Sequence, residues 1–216
     1  MAEDTIEKPV IGFKPLEIPR GEVIETPQGS NLELLFQDTP VSKDAQDIDH
    51  LKSQARVFLG EGYDYFRNMA GPDFNDLSDK YVIEFVQGRF RHGGILMHMD
   101  VGLLRELAKN PSDQYTKDLV QSVVVHEIGH NITVQEDIPM FAEMIYMIEK
   151  GHVSRIAQIK KFFEEGNLGP AHIKGLAKIS EWLGYSSSSE MLSALPERDP
   201  EELKNIFRQK IEGHTD

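Results

Sequence analysis

The stretch that decides how this chain is read is Leu119-Val120-Gln121-Ser122-Val123-Val124-Val125-His126-Glu127-Ile128-Gly129-His130. Leu119, Val120, Val123 and Val124 fall at helical spacing, and Ser112 opens the run as a helix start. On a helix, His126 and His130 stand one above the other on one face, about 6 Å apart. Two imidazoles so placed can converge on one Zn²⁺. Glu127, one step round from His126, lies beside such an ion without coordinating it. There a carboxylate can take a proton from a water whose pKa zinc has lowered to about 7. With eight His and 21 Glu in 216 residues, such a string arises by chance in roughly 3 of 100 chains. The bland alternative is two surface histidines on an ordinary helix. The apolar flanks at Val123, Val124 and Val125 argue instead for half-buried histidines.

Composition sets the frame around this stretch. There are no cysteines, so disulfides, thiol catalysis and cysteine-held metals are excluded, and any ion must be held by His, Asp or Glu. That is the ligand chemistry of catalytic rather than structural zinc sites. Hydrophobic residues make up 39%, charged residues 27%, and mean hydropathy is −0.40, which suits a globular chain. The 23 basic and 36 acidic residues leave a net charge of −13, which disfavours nucleic-acid binding. No run is long and apolar enough for a membrane span, and Met1–Val10 is acidic rather than signal-like, so a cytoplasmic protein without a membrane partner is expected.

Outward from the histidines, the chain reads as α+β and mostly helical. Residues 1–41 form a proline-rich arm (Pro9, Pro15, Pro19, Pro27, Pro40) with short apolar stretches such as Val10-Ile11-Gly12-Phe13, read as carrying edge strands. Residues 42–216 form the main domain, with 152–216 as a helical subdomain. Ser42 is the expected N-cap of a helix reaching about Asn68 before Gly71-Pro72. Tyr81-Val82-Ile83-Glu84-Phe85-Val86 and the run at 94–99 read as two strands joined by a glycine-containing turn. A short helix over 101–109 stops at Asn110-Pro111. Asp137-Ile138-Pro139 starts a further helix that ends near Gly151, and its Met140, Met144 and Met147 read as core. The sheet is expected to pack over the helix that carries the histidines.

A zinc hydrolase needs a third protein ligand and an open position for water. Two placements compete. Glu143 lies inside the following helix, which can return antiparallel to the first. Glu136, six residues after His130, needs a sharp turn within five residues.

The pattern resembles the zincin metallopeptidases, and most closely their thermolysin-like gluzincin branch. There a helical Glu downstream of the motif is the third ligand, often two positions after an aromatic residue, as Glu143 is after Phe141. The resemblance implies that His126, His130 and Glu143 hold Zn²⁺ and that Glu127 is the general base. Resemblance to the metzincins is weaker: they place glycine at the position of Thr133 and usually His at that of Glu136. A β-branched Thr resists the tight turn that glycine permits, which favours Glu143 over Glu136. Glu149 keeps a longer spacing but lies close to the helix end at Gly151.

Tyr146, His152, Arg155 and His172 are candidates by chemistry to stabilise an oxyanion, with Tyr146 foremost because it lies one turn after Glu143. In zincins a strand placed like 94–99 forms the cleft rim and pairs with extended substrate. His92 and His98 read as strand-end surface histidines. The expected function is zinc-dependent hydrolysis of peptide bonds in a peptide or protein substrate. The alternatives are a zinc-stabilised binding module without turnover and a metzincin-like peptidase with Glu136 as ligand.

Overall fold

The computed structural model describes residues 21–43, 46–72, 74–75, 77–87, 91–93 and 96–212, with the side chains of 43 and 91–93 set aside. The Val10–Phe13 stretch and the first three prolines of the arm lie outside the described residues. The chain is α+β and mostly helical, as its patterning predicts.

Five strands form one mixed sheet: β1 (Glu22–Glu25), β2 (Asn31–Gln37), β3 (Lys80–Val86), β4 (Arg91–Gly93) and β5 (Leu96–Asp100), in spatial order β1-β2-β3-β5-β4. β2, β3 and β5 run parallel, while the edges β1 and β4 run antiparallel to their neighbours. Alternation buries one face only: Leu32 and Leu34, then Tyr81, Ile83 and Phe85, then Met97 and Met99. The other face is half-exposed, and there Glu84 and His98 pair across the parallel strands at 3.0 Å. His98 therefore has a partner on the sheet surface. The His92 side chain is not described.

The strands at 81–86 and 94–99 do not form a hairpin with each other. β3 and β5 are parallel neighbours, and the short β4 between them in sequence crosses to the far side of β5 and returns. Both sides of β5 are thus occupied, and it cannot accept an added strand. The free edge on that side of the sheet is β4.

Residues 21–37 of the arm are built into the fold. The β1–β2 turn is fastened to a long helix by Asp64, which accepts hydrogen bonds from Thr26 Oγ1 at 2.7 Å and Gln28 N at 2.8 Å. Between β2 and β3 run α1 (Pro40–Lys43) and α2 (Ile48–Ala70). Ser42 is not the N-cap of the long helix. It lies in α1, where its hydroxyl accepts from Thr39 N at 2.7 Å, and Asp47 precedes α2. After β5 the chain enters α3 (Val101–Lys109), whose N-cap Asp100 accepts from Gly102 N and Leu103 N. The next helix, α4 (Gln114–Gly129), is capped by Asp113 rather than Ser112.

The centre of the helical layer is α5 (Asp137–Glu149), in which every residue from 137 to 148 is buried. Met140, Met144 and Met147 are core residues there. Around it lie α4, α6 (Val153–Glu164), α7 (Pro170–Trp182) and α9 (Pro200–Glu212), with α8 (Ser188–Ala194) against α6 and α7. α4 and α5 approach closely at Gly129, where a Cβ would lie 2.8 Å from Pro139 Cα. That atom is backbone and cannot swing aside. Gly129→Ala should therefore destabilise the fold by about 1–3 kcal/mol, although intrinsic helix propensity alone favours Ala by about 1 kcal/mol. A urea titration of the metal-free protein gives the sign, and a more stable variant would contradict this packing.

Candidate metal centre

α4 carries His126 in its last turn and is capped by His130, and the two rings share one face with centroids 5.2 Å apart. The chain then turns through three successive short bonds: His130 N to Glu127 O, Asn131 N to Ile128 O, and Ile132 N to Gly129 O. The Asn131 side chain reinforces the turn by donating to Ile128 O at 2.9 Å. Among the described residues no non-glycine residue has positive φ. The turn therefore needs no left-handed residue at Thr133, and the steric argument against Glu136 loses its force.

Glu136 sits at the N-terminus of α5, where the helix dipole favours a carboxylate. Its Oε2 lies 3.3 Å from His126 Nε2 and 3.8 Å from His130 Nε2. That oxygen is buried, and its contacts are imidazole pairs longer than a well-formed hydrogen bond. Two imidazole nitrogens and a carboxylate oxygen that face one point form a donor set for a divalent ion. These residues fit the ion that the sequence implies.

Glu143 lies on the other side of His126. Its Oε2 is 3.1 Å from His126 Nδ1, and its Oε1 is 3.8 Å from Arg155 Nε on α6. It thus occupies the ring nitrogen opposite the one that faces Glu136 and His130. A carboxylate on the second nitrogen fixes the ring and its tautomer. His130 is fixed in the same way: its Nδ1 lies 3.1 Å from Thr133 O. A carbonyl can only accept, so Nδ1 carries the proton and Nε2 keeps its lone pair for the centre.

Electrostatics follow this geometry. Burial opposes charge on His126, but Glu136 and Glu143 outweigh it and raise its pKa to about 10. Burial, with the His126 charge, lowers that of His130. The His126 contact holds Glu136 below its ordinary value against burial. Glu143 is pushed up by burial but brought below its ordinary value by His126 and then Arg155. In the metal-free protein the raised His126 therefore contributes stability fully below its ordinary 6.5 and loses it as pH climbs through about 10. Near neutral pH an ion must displace that proton. Zinc uptake should release about one proton from His126, read by indicator absorbance in weak buffer. Uptake without release would contradict a charged His126.

Glu127 is buried on α4 and close enough to His126 to favour its charged form. Tyr146 is not brought to the histidines. Its hydroxyl donates to Asp118 Oδ1 at 3.3 Å, and burial together with that carboxylate raises its pKa. His152 joins the same carboxylate, with Nε2 2.6 Å from Asp118 Oδ2. Glu149 is also engaged elsewhere: it accepts from Tyr65 OH at 2.7 Å and pairs with Lys204 at 3.1 Å. His172, at the start of α7, does reach the centre, with Nε2 3.7 Å from Glu136 Oε2. Asp118 was not singled out from sequence. Its only signal is an acidic residue eight positions, about two turns, before His126 on the same helix.

Comparison of the chain with protein-family models, with curated proteins and with solved structures returns no match.

Proposed function

We propose that the chain is a zinc-dependent metallopeptidase in which His126, His130 and Glu136 hold the ion and Glu127 is the general base. One observation carries this reading: Nε2 of His126 and Nε2 of His130, which flank Glu127 along the chain, converge on one buried oxygen of Glu136. Such a ligand set departs from the gluzincin expectation, which assigns the third ligand to Glu143. Glu143 instead has the role of orienting His126 through Nδ1.

When bound, zinc in this set supplies a Lewis acid that polarises a carbonyl and acidifies water. The chain's own residues do the rest. Glu127 accepts the proton of the attacking water and delivers it to the leaving amine. The Thr133 carbonyl and the Glu143 carboxylate keep the two imidazoles in the tautomers that present Nε2. Tyr146 takes no part, because its hydroxyl serves Asp118.

The test is cleavage of a diverse peptide library before and after chelation. Activity should vanish with chelator and return with one equivalent of Zn²⁺. A protein that binds zinc stoichiometrically yet cleaves nothing would overturn the peptidase reading and leave a zinc-stabilised binding module.

A further inference from the structure

His172 stands in the first turn of α7, and its side chain is nearly half exposed. It could turn to water at little cost. Instead its Nε2 lies 3.7 Å from Glu136 Oε2, the same oxygen approached by Nε2 of His126 at 3.3 Å and of His130 at 3.8 Å. The His172 ring lies 17° from parallel to that of His126, with centroids 6.5 Å apart. Three imidazole Nε2 atoms therefore lie within 3.8 Å of one buried carboxylate oxygen. A second contact fixes this placement. A Cβ on Gly175, one turn further along α7, would lie 2.9 Å from the Glu136 carbonyl carbon and 3.0 Å from its Cβ. α7 is thus docked on Glu136 itself, which sets His172 over the centre.

We infer that His172 is a fourth protein donor to the ion held by His126, His130 and Glu136. The inference rests on the metal-centre reading above and adds regulation to it. A zinc site with three protein donors keeps a position for water, whereas one with four is closed. With the ion bound and His172 ligated, the C-terminal helical segment would occupy the position that hydrolysis needs. Turnover requires His172 to give way to water.

The experiment uses the full chain, stripped of metal and reloaded with one equivalent of Co²⁺ or Zn²⁺, as wild type, His172→Ala and His172→Gln. Wild-type Co²⁺ protein should show visible bands that millimolar azide leaves unchanged. His172→Ala should show shifted bands that respond to azide, and its zinc affinity should fall by roughly tenfold or more, since loss of even an outer partner costs roughly 10–100-fold. His172→Gln decides the matter if the Ala variant loses its near-ultraviolet circular dichroism. Variants that keep the wild-type spectrum and affinity would overturn the fourth-donor role alone. A wild type that takes up neither ion would overturn the metal centre as well.

Discussion

Glu127→Ala should bind one zinc as the wild type does and lose peptide cleavage by on the order of 10²–10⁴-fold, the usual contribution of a positioned acid or base. The separation follows from geometry. His126 and His130 are one face of α4, and their Nε2 atoms meet Glu136; Glu127 is the next residue round the helix and is not among those donors. Because Glu127 is buried, truncation leaves a gap, so Glu127→Gln is the matched variant of similar volume. Both should retain zinc by atomic absorption. Retained cleavage would remove Glu127 from the mechanism. Lost zinc would make it a ligand rather than a base.

Glu136→Ala and Glu143→Ala should differ in kind. The first removes the oxygen on which both Nε2 atoms converge, and stoichiometric zinc should be lost. The second removes the partner of His126 Nδ1; zinc should remain but bind roughly 10–100-fold more weakly. Arg155 Nε, buried 3.8 Å from Glu143 Oε1, also loses its charge partner in that variant. Glu143→Gln keeps an acceptor there and should recover part of the affinity. Equilibrium dialysis against a competing chelator measures all three. Strong loss at Glu143 with little change at Glu136 would restore the ligand set that the gluzincin resemblance implies.

Much of the fold was legible because local chemistry sets it. α3 runs from Val101 to Lys109 as read, because Asn110-Pro111 stops it. α5 begins at Asp137 as expected. What escaped was pairing. Glycines around 88–94 announce turns, but nothing local says that β4 passes to the outer side of β5 and leaves β3 and β5 parallel. Ser42 looked like a cap because it precedes apolar residues at helical spacing, yet it lies within the short α1, and α2 begins at Ile48.

The site divides in the same way. Spacing along one helix placed His126, Glu127 and His130, since i and i+4 share a face whatever surrounds them. Spacing could not place the third carboxylate. Thr133 argued against a tight turn, but the chain turns by successive i→i+3 bonds without a left-handed residue. Nor could it place Tyr146, because α5 is buried all round and every face has a neighbour; the one that Tyr146 meets is Asp118. His172 lies 42 residues beyond His130, on an element that reaches Glu136 only through tertiary packing at Gly175.

In the proposed centre, His126, His130 and Glu136 together hold a zinc ion. Anomalous scattering at the zinc edge, in a crystal grown with one equivalent of Zn²⁺, tests it most directly. One strong peak is expected, enclosed by Nε2 of His126, Nε2 of His130 and the Glu136 carboxylate, with Glu143 still on Nδ1 of His126. A peak ligated by Glu143 in place of Glu136, or no peak at these histidines, would contradict it.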